Sequence, residues 1–193
     1  PDPHEMPPQG EPGEEYVAFA GRLSREKGLD LLAQAARLLP GVTFRVAGSG
    51  EMAPILRDIP NVELLGFLTG KPLRALIAGA RAVLVPSVWY ENCPLSILEA
   101  HALGTPVVTV DRGGMAELVE DGVTGVTFRE LSGRALADAV ERLLSDRAVL
   151  ARMRENCLRR REELPTLERY CVRMEEIYRE EIRRKERGTW PQR

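Results

Sequence analysis

Residues 82–110 read AVLVPSVWYENCPLSILEAHALGTPVVTV. The segment opens on four apolar residues, Ala82–Val85, and closes on another apolar run, Pro106–Val110. Between them a helical pattern runs from Pro94 to Leu103. Proline suits a first helical position, where its missing N–H would have had no partner and its φ is already near the helical value. Neither apolar run alternates with polar residues. Continuous runs of this kind are the pattern of strands buried on both faces, in a parallel sheet covered by helices.

The same alternation extends in both directions. Further strands are expected at Tyr16–Ala20, Thr43–Ala47, Val62–Leu65 and Val126–Phe128, and helices at Gly28–Leu39, Glu51–Asp58, Pro72–Ala80, Met115–Val119 and Gly133–Leu144. Repeated βα units predict an α/β class fold, a doubly wound parallel sheet with helices on both faces. Two longer charged helices, Arg147–Glu163 and Leu167–Lys185, form a helical C-terminal tail, split at Leu164-Pro165-Thr166. In the last helix Leu167, Tyr170, Cys171, Met174, Ile177, Tyr178 and Ile182 recur at three- and four-residue steps. That stripe is expected to pack on its own domain, with packing against a missing half as the alternative. At the other end, PDPHEMPPQGEPGEE has five prolines in its first twelve residues and reads as a linker. The expected organisation is therefore 1–15 linker, 16–145 α/β domain and 146–193 C-terminal helices, in a chain cut from something longer.

Bulk composition narrows the function. A chain of 193 residues with 44% hydrophobic and 29% charged content has the size and composition of a single soluble domain. A net charge of −2 gives no electrostatic case for nucleic acid. No apolar run reaches the length of a membrane span, and no secretory signal opens the chain. Three scattered cysteines, Cys93, Cys157 and Cys171, predict reduced thiols in a cytoplasmic setting.

Ligands of doubly wound sheets sit beyond the carboxyl ends of the strands, so the loops there carry the chemistry. The first, GRLSREKG (Gly21–Gly28), offers a tight turn and, among its cations, the two candidates Arg22 and Lys27. Arg as a planar fork and Lys as a point charge could grip a pyrophosphate from different angles. The second, GSGEMA (Gly48–Ala53), satisfies a dinucleotide-binding pattern formally, but it follows the second strand and no acidic residue ends the next one. Its glycines are expected to serve a tight turn or close approach to a ligand. The third, GFLTGKP (Gly66–Pro72), is one residue short of a phosphate-binding P-loop and has Pro72 where Ser or Thr is required. The fourth carries Glu91 and Glu99 on either side of a helix start. The N–H groups of Leu95 and Ser96 would point out of that start towards an anion. Glu99 would lie about 7–8 Å along the helix. A bound pyrophosphate would then have a carboxylate on each side, matching the order sugar, diphosphate, ribose. There is no Asp-x-Asp for a metal clamp, and neither His4 nor His101 belongs to a recognisable catalytic set.

Taken in order, GRLSREKG, VAGSGE, LLGFL, VPSVWYENCPLSILEAHALGTPVV and GGMAELVEDGVTG resemble the C-terminal, donor-binding domain of the retaining family 4 glycosyltransferases. The resemblance covers roughly Tyr16 to the end. It implies a Rossmann-like domain, one half of a GT-B fold, that binds a UDP-, GDP- or ADP-sugar without a metal or other cofactor. It implies that Arg22 and Lys27 hold the diphosphate, that Glu91 meets the transferred hexosyl group and that Glu99 holds ribose hydroxyls. Backbone at Gly66, Phe67 and Leu68 would face the base. Gly21, Gly48, Asn92, Cys93, Leu95 and Ser96 complete the expected contacts, and Arg22, Lys27 and Glu91 are the expected catalytic residues. Many relatives carry Gly-Phe-Gly where this chain has Asn92-Cys93-Pro94, and Pro94 has no amide to offer the donor. The partner implied is an N-terminal acceptor-binding domain, through which the full enzyme could also associate with a membrane. Without it this fragment is expected to bind donor and not to transfer sugar. The alternatives are half of a nucleotide-sugar epimerase, or a non-catalytic nucleotide-sugar-binding module.

Overall fold

Six strands lie parallel in one sheet: β1 (Tyr16–Ala20), β2 (Thr43–Ala47), β3 (Val62–Gly66), β4 (Ala82–Val85), β5 (Val107–Val110) and β6 (Gly125–Phe128). Their spatial order is β3-β2-β1-β4-β5-β6, so the chain reverses direction across the sheet between β1 and β4. That switch point opens a crevice at the carboxyl ends of β1 and β4. The structure, a computed structural model, describes residues 15–163 and 167–187. The expected linker, apart from Glu15, and the break at residues 164–166 lie outside the described residues, as does His4.

The apolar runs do what their pattern requires. All of β4 and β5 is buried, with α1 (Leu29–Leu38) and α6 (Gly133–Leu144) packed together over one face. In α6 the buried Leu136, Ala137, Val140 and Leu143 fall at helical spacing, and the Ser132 hydroxyl accepts from Ala135 N–H at 3.1 Å to cap the start. Emptying one such position, as in Leu136→Ala, costs about 2–5 kcal/mol. At the sheet edge β3 keeps its strand geometry but leaves Glu63, Leu64 and Leu65 exposed.

Several boundaries differ from expectation. A 3-10 turn at Arg25–Lys27 precedes α1. Helix α2 shrinks to Pro54–Arg57, because Pro54 can only occupy a first turn. Helix α3 (Gly70–Gly79) begins two residues early, with Pro72 still inside the first turn, where no intrahelical N–H bond is lost. Helix α4 spans Leu95–Ala102 and α5 spans Gly113–Leu118. Pro94 is the residue before α4, extended at φ −69° and ψ 109°, not its first member, and its carbonyl accepts from Ile97 N–H at 3.0 Å.

The C-terminal helices part company. In α7 (Arg147–Glu163) the residues Leu150, Met153 and Cys157 are buried, and the helix packs against α4 and α6. Helix α8 (Leu167–Glu186) buries none of its residues. The expectation that its stripe packs on this domain is therefore corrected: the burial at this end of the chain is made by α7, through Leu150, Met153 and Cys157, and not by α8. Leu167, Tyr170, Ile177, Tyr178 and Ile182 all face solvent. No helix among the described residues is long and apolar enough to cross a membrane.

Candidate functional site

The first and fourth loops meet at the switch point, and the backbone brings them there. Gly28 has φ +74°, and a Cβ on it would lie 2.0 Å from the Pro86 carbonyl oxygen. Only glycine lets the start of α1 approach the end of β4 so closely. One turn earlier, Val88 N–H donates to the Glu26 carbonyl at 2.9 Å. These contacts set Lys27 against Glu91: the ammonium donates to Glu91 Oε1 at 2.5 Å, with both side chains largely buried. The Ser87 hydroxyl donates to the same oxygen at 2.9 Å. Partial burial alone would push the Glu91 carboxyl upward, but the hydrogen bonds from Lys27 and Ser87 and the charge of Lys27 hold it below the usual range.

A matching arrangement holds Arg22. The Ser24 hydroxyl donates to Glu26 Oε1 at 2.6 Å, and Arg22 Nη2 sits 3.0 Å from that same oxygen. The hydroxyl of Ser24, more than any charge nearby, keeps the Glu26 carboxyl low. Arg22 and Lys27 are thus each paired with a carboxylate that a buried serine braces, whereas the third cation of the loop, Arg25, pairs with Asp30 alone.

The second and third loops interlock beside them. Leu23 N–H donates to Ser49, Met52 N–H to Leu23, and Gly48 N–H to Gly66 at 2.7 Å. Gly48, at φ +145°, would place a Cβ 1.8 Å from the Gly21 carbonyl oxygen. Its conformation serves contact between loops, whereas the sequence suggested a turn or approach to a ligand. A cleft of about 370 Å³ opens here, lined by Gly21, Arg22, Gly48, Ser49, Phe67 and Glu99 among others. Five of the expected binding residues therefore share one cavity, of a size suited to part of a drug-sized ligand.

The remaining expected residues are placed differently. Ser96 is half-buried in the first turn of α4, and Leu95 beside it is exposed; these first amides have no acceptor within a helix. Asn92 and Cys93 are exposed, Gly66 turns at φ +70°, and Leu68 packs against the cluster around Tyr16 and Leu76. His101 is a packed residue, 2% exposed, within α4. Ser24, Glu26, Ser87 and Arg112 escaped sequence reasoning. Arg112 donates to the Val88 carbonyl at 2.7 Å and covers the Tyr90 ring, while Gly114 N–H donates to the Glu91 carbonyl at 2.9 Å. The GGMAELV segment signalled this fifth loop, though without a role.

The profile of the family described as "Glycosyl transferases group 1" matches residues 14–146, more than half of the chain. The chain belongs to the group 1 glycosyltransferases. Among members of known name, the D-inositol 3-phosphate glycosyltransferase of Nocardia farcinica is 38% identical over 160 residues, covering 74% of this chain and 35% of the relative. The alpha-D-kanosaminyltransferase of Streptomyces kanamyceticus is 33% identical over 151 residues, covering 72% and 39%. The chain thus spans well under half the length of these relatives. Among solved structures, Anabaena HepE in complex with UDP-glucose superposes with a TM-score of 0.71 at 26% identity, covering 78% of this chain and 44% of that one. Sucrose-phosphate synthase from Thermosynechococcus elongatus gives 0.76 at 28%, covering 88% and 46%. This glycosyltransferase domain has the Rossmann-like fold of the C-terminal half of GT-B enzymes.

Proposed function

We propose that this chain is the donor-binding domain of a retaining, metal-independent glycosyltransferase that moves a hexosyl group from a nucleoside diphosphate sugar to an acceptor held by a second domain. The observation that carries the reading is the cleft lined by Arg22, Gly48, Phe67 and Glu99 at the switch point where Lys27 meets Glu91. The base lies along the Gly66–Leu68 backbone and the ribose hydroxyls bond the Glu99 carboxylate. Arg22, Lys27 and the amides of Leu95 and Ser96 take the diphosphate, and Glu91 faces the sugar. As the glycosidic bond breaks, negative charge grows on the leaving diphosphate, and these fixed donors stabilise it without reorganising. The UDP-glucose complex of HepE supports a uridine donor among the candidates. The exposed stripe of α8 fits the second domain, so this chain alone binds donor and does not turn over.

Titration calorimetry with UDP, GDP and ADP, each with and without EDTA and repeated on Glu99→Ala, tests the reading. A few charge-assisted bonds set against the cost of immobilising the ligand give an expected Kd of about 10 μM to 1 mM. EDTA-insensitive binding of one nucleotide, weakened by the substitution, supports it. Absence of binding by this chain and by the two-domain protein refutes it.

A further inference from the structure

We propose that Ser87 is a positioning residue of the donor site, fixing the orientation of the Glu91 carboxylate through one oxygen so that the other is held towards the sugar. The inference rests on the reading of Glu91 as the sugar contact. Ser87 is 1% exposed, two residues past the end of β4. A buried hydroxyl needs a partner, and this one donates its hydrogen bond to a carboxylate, which makes the bond charge-assisted. Because Lys27 donates to the same atom, Oε1 carries both bonds, and Oε2 has none among the described residues.

The backbone on either side cannot follow a wandering side chain. Val88 is tied at its N–H to Glu26 and at its carbonyl to Arg112, and the Glu91 carbonyl is tied to Gly114. Rotation about the Glu91 side chain is therefore the freedom left to remove, and Ser87 removes it. Without Ser87 one hydrogen bond, from Lys27, is left on the carboxylate, whose plane can swing about that contact, so the oxygen turned to the sugar no longer has one fixed position. The charged groups facing Glu91 are Lys27 and, at longer range, Glu26. Lys27 holds Oε1 from one direction only, and Glu26 makes no bond to the carboxylate; the second direction comes from Ser87. The Ser24–Glu26–Arg22 set repeats the device, one oxygen holding both a serine and a cation. Its occurrence at Arg22 and Lys27, the two cations proposed to take the diphosphate, and not at Arg25, argues for a role in the site beyond local packing.

The test compares Ser87→Ala and Ser87→Thr with the native chain, using UDP and UDP-glucose in calorimetry and a ¹³C NMR titration of the Glu91 carboxyl. For Ser87→Ala, affinity for UDP-glucose is expected to fall about three- to tenfold while affinity for UDP stays within about twofold, as one lost hydrogen bond to the sugar contact predicts. The Glu91 midpoint is expected to rise in Ser87→Ala and to return in Ser87→Thr, which restores the hydroxyl. Equal loss for both ligands, or an unmoved midpoint, overturns the proposal. Native protein that binds neither ligand refutes the donor-site reading instead, and the NMR titration then still decides whether Ser87 holds Glu91.

Discussion

Lys27 Nζ and Glu91 Oε1 stand 2.5 Å apart although 64 residues separate them in the chain. The pair joins the loops after β1 and β4 across the point where strand order reverses. The cation is therefore held by an internal carboxylate. A diphosphate arriving beside Lys27 meets an ammonium already fixed in place, with further donor capacity, since Lys carries three N–H groups.

Lys27→Ala removes the charge that balances Glu91 and the proposed grip on diphosphate. In the two-domain enzyme, loss of one such donor is expected to lower turnover about 10²–10³-fold. Lys27→Arg should not restore it, because a planar fork cannot replace a compact ammonium at this distance from Glu91. Steady-state rates for both variants provide the check, and unchanged turnover in Lys27→Ala would remove Lys27 from the site.

His101 makes the domain sensitive to acid. Burial chiefly, and then the nearby Arg160 charge, lower its pKa from 6.5 to about 4, against a hydrogen bond with the Thr124 backbone. Between those values the unfolded chain takes up a proton that the folded chain refuses. Stability from this group is thus complete above pH 6.5 and is lost as pH falls towards 4, by about 3 kcal/mol in all. Thermal midpoints of the native protein and His101→Gln at pH 7 and pH 4.5 measure it. The native protein should show the larger drop, and equal drops would contradict the assignment.

Gly28→Ala forces a side chain into a left-handed backbone and against the Pro86 carbonyl. The expected cost is about 2–4 kcal/mol, the range for strain at a special backbone position combined with overpacking. A stability loss from urea unfolding of less than about 0.5 kcal/mol would mean that the two loops can separate freely.

Cysteine labelling offers a probe of the site. Cys93 and Cys171 are exposed, whereas burial pushes the Cys157 thiol up to about 12 and keeps it inert. In Cys171→Ser a maleimide is expected to modify Cys93 alone, and a bound nucleotide sugar to slow that reaction. Labelling rates indifferent to saturating donor would place Cys93 outside the occupied site.

The sheet was legible because buried parallel strands need continuous apolar runs, and Ala82–Val85 and Tyr16–Ala20 are such runs with the bounds the sequence implies. Helix ends were less so. Pro94 fits a first helical residue by its missing N–H, yet the Ile97 bond to its carbonyl makes it the residue before. The stripe of α8 showed that the helix has an apolar face but could not show what covers it, since periodicity carries no information about the partner. In the candidate site the charged residues stood out by type and position. Ser24 and Ser87 did not, because a serine's role depends on what its hydroxyl meets, and Ser87 finds Glu91 only after the strand and helix around it are in place.

The contact of Gly28 with Pro86, together with the Val88 to Glu26 hydrogen bond, has a consequence for binding thermodynamics. The backbone of the first and fourth loops loses its conformational entropy when the domain folds, so a ligand need not order it again. What remains to be ordered is side chains, chiefly those of Arg22, 66% exposed, and Phe67, 75% exposed. The entropic penalty that the protein contributes to capturing a donor therefore falls on exposed side chains at the rim of the cleft and not on the backbone that carries them.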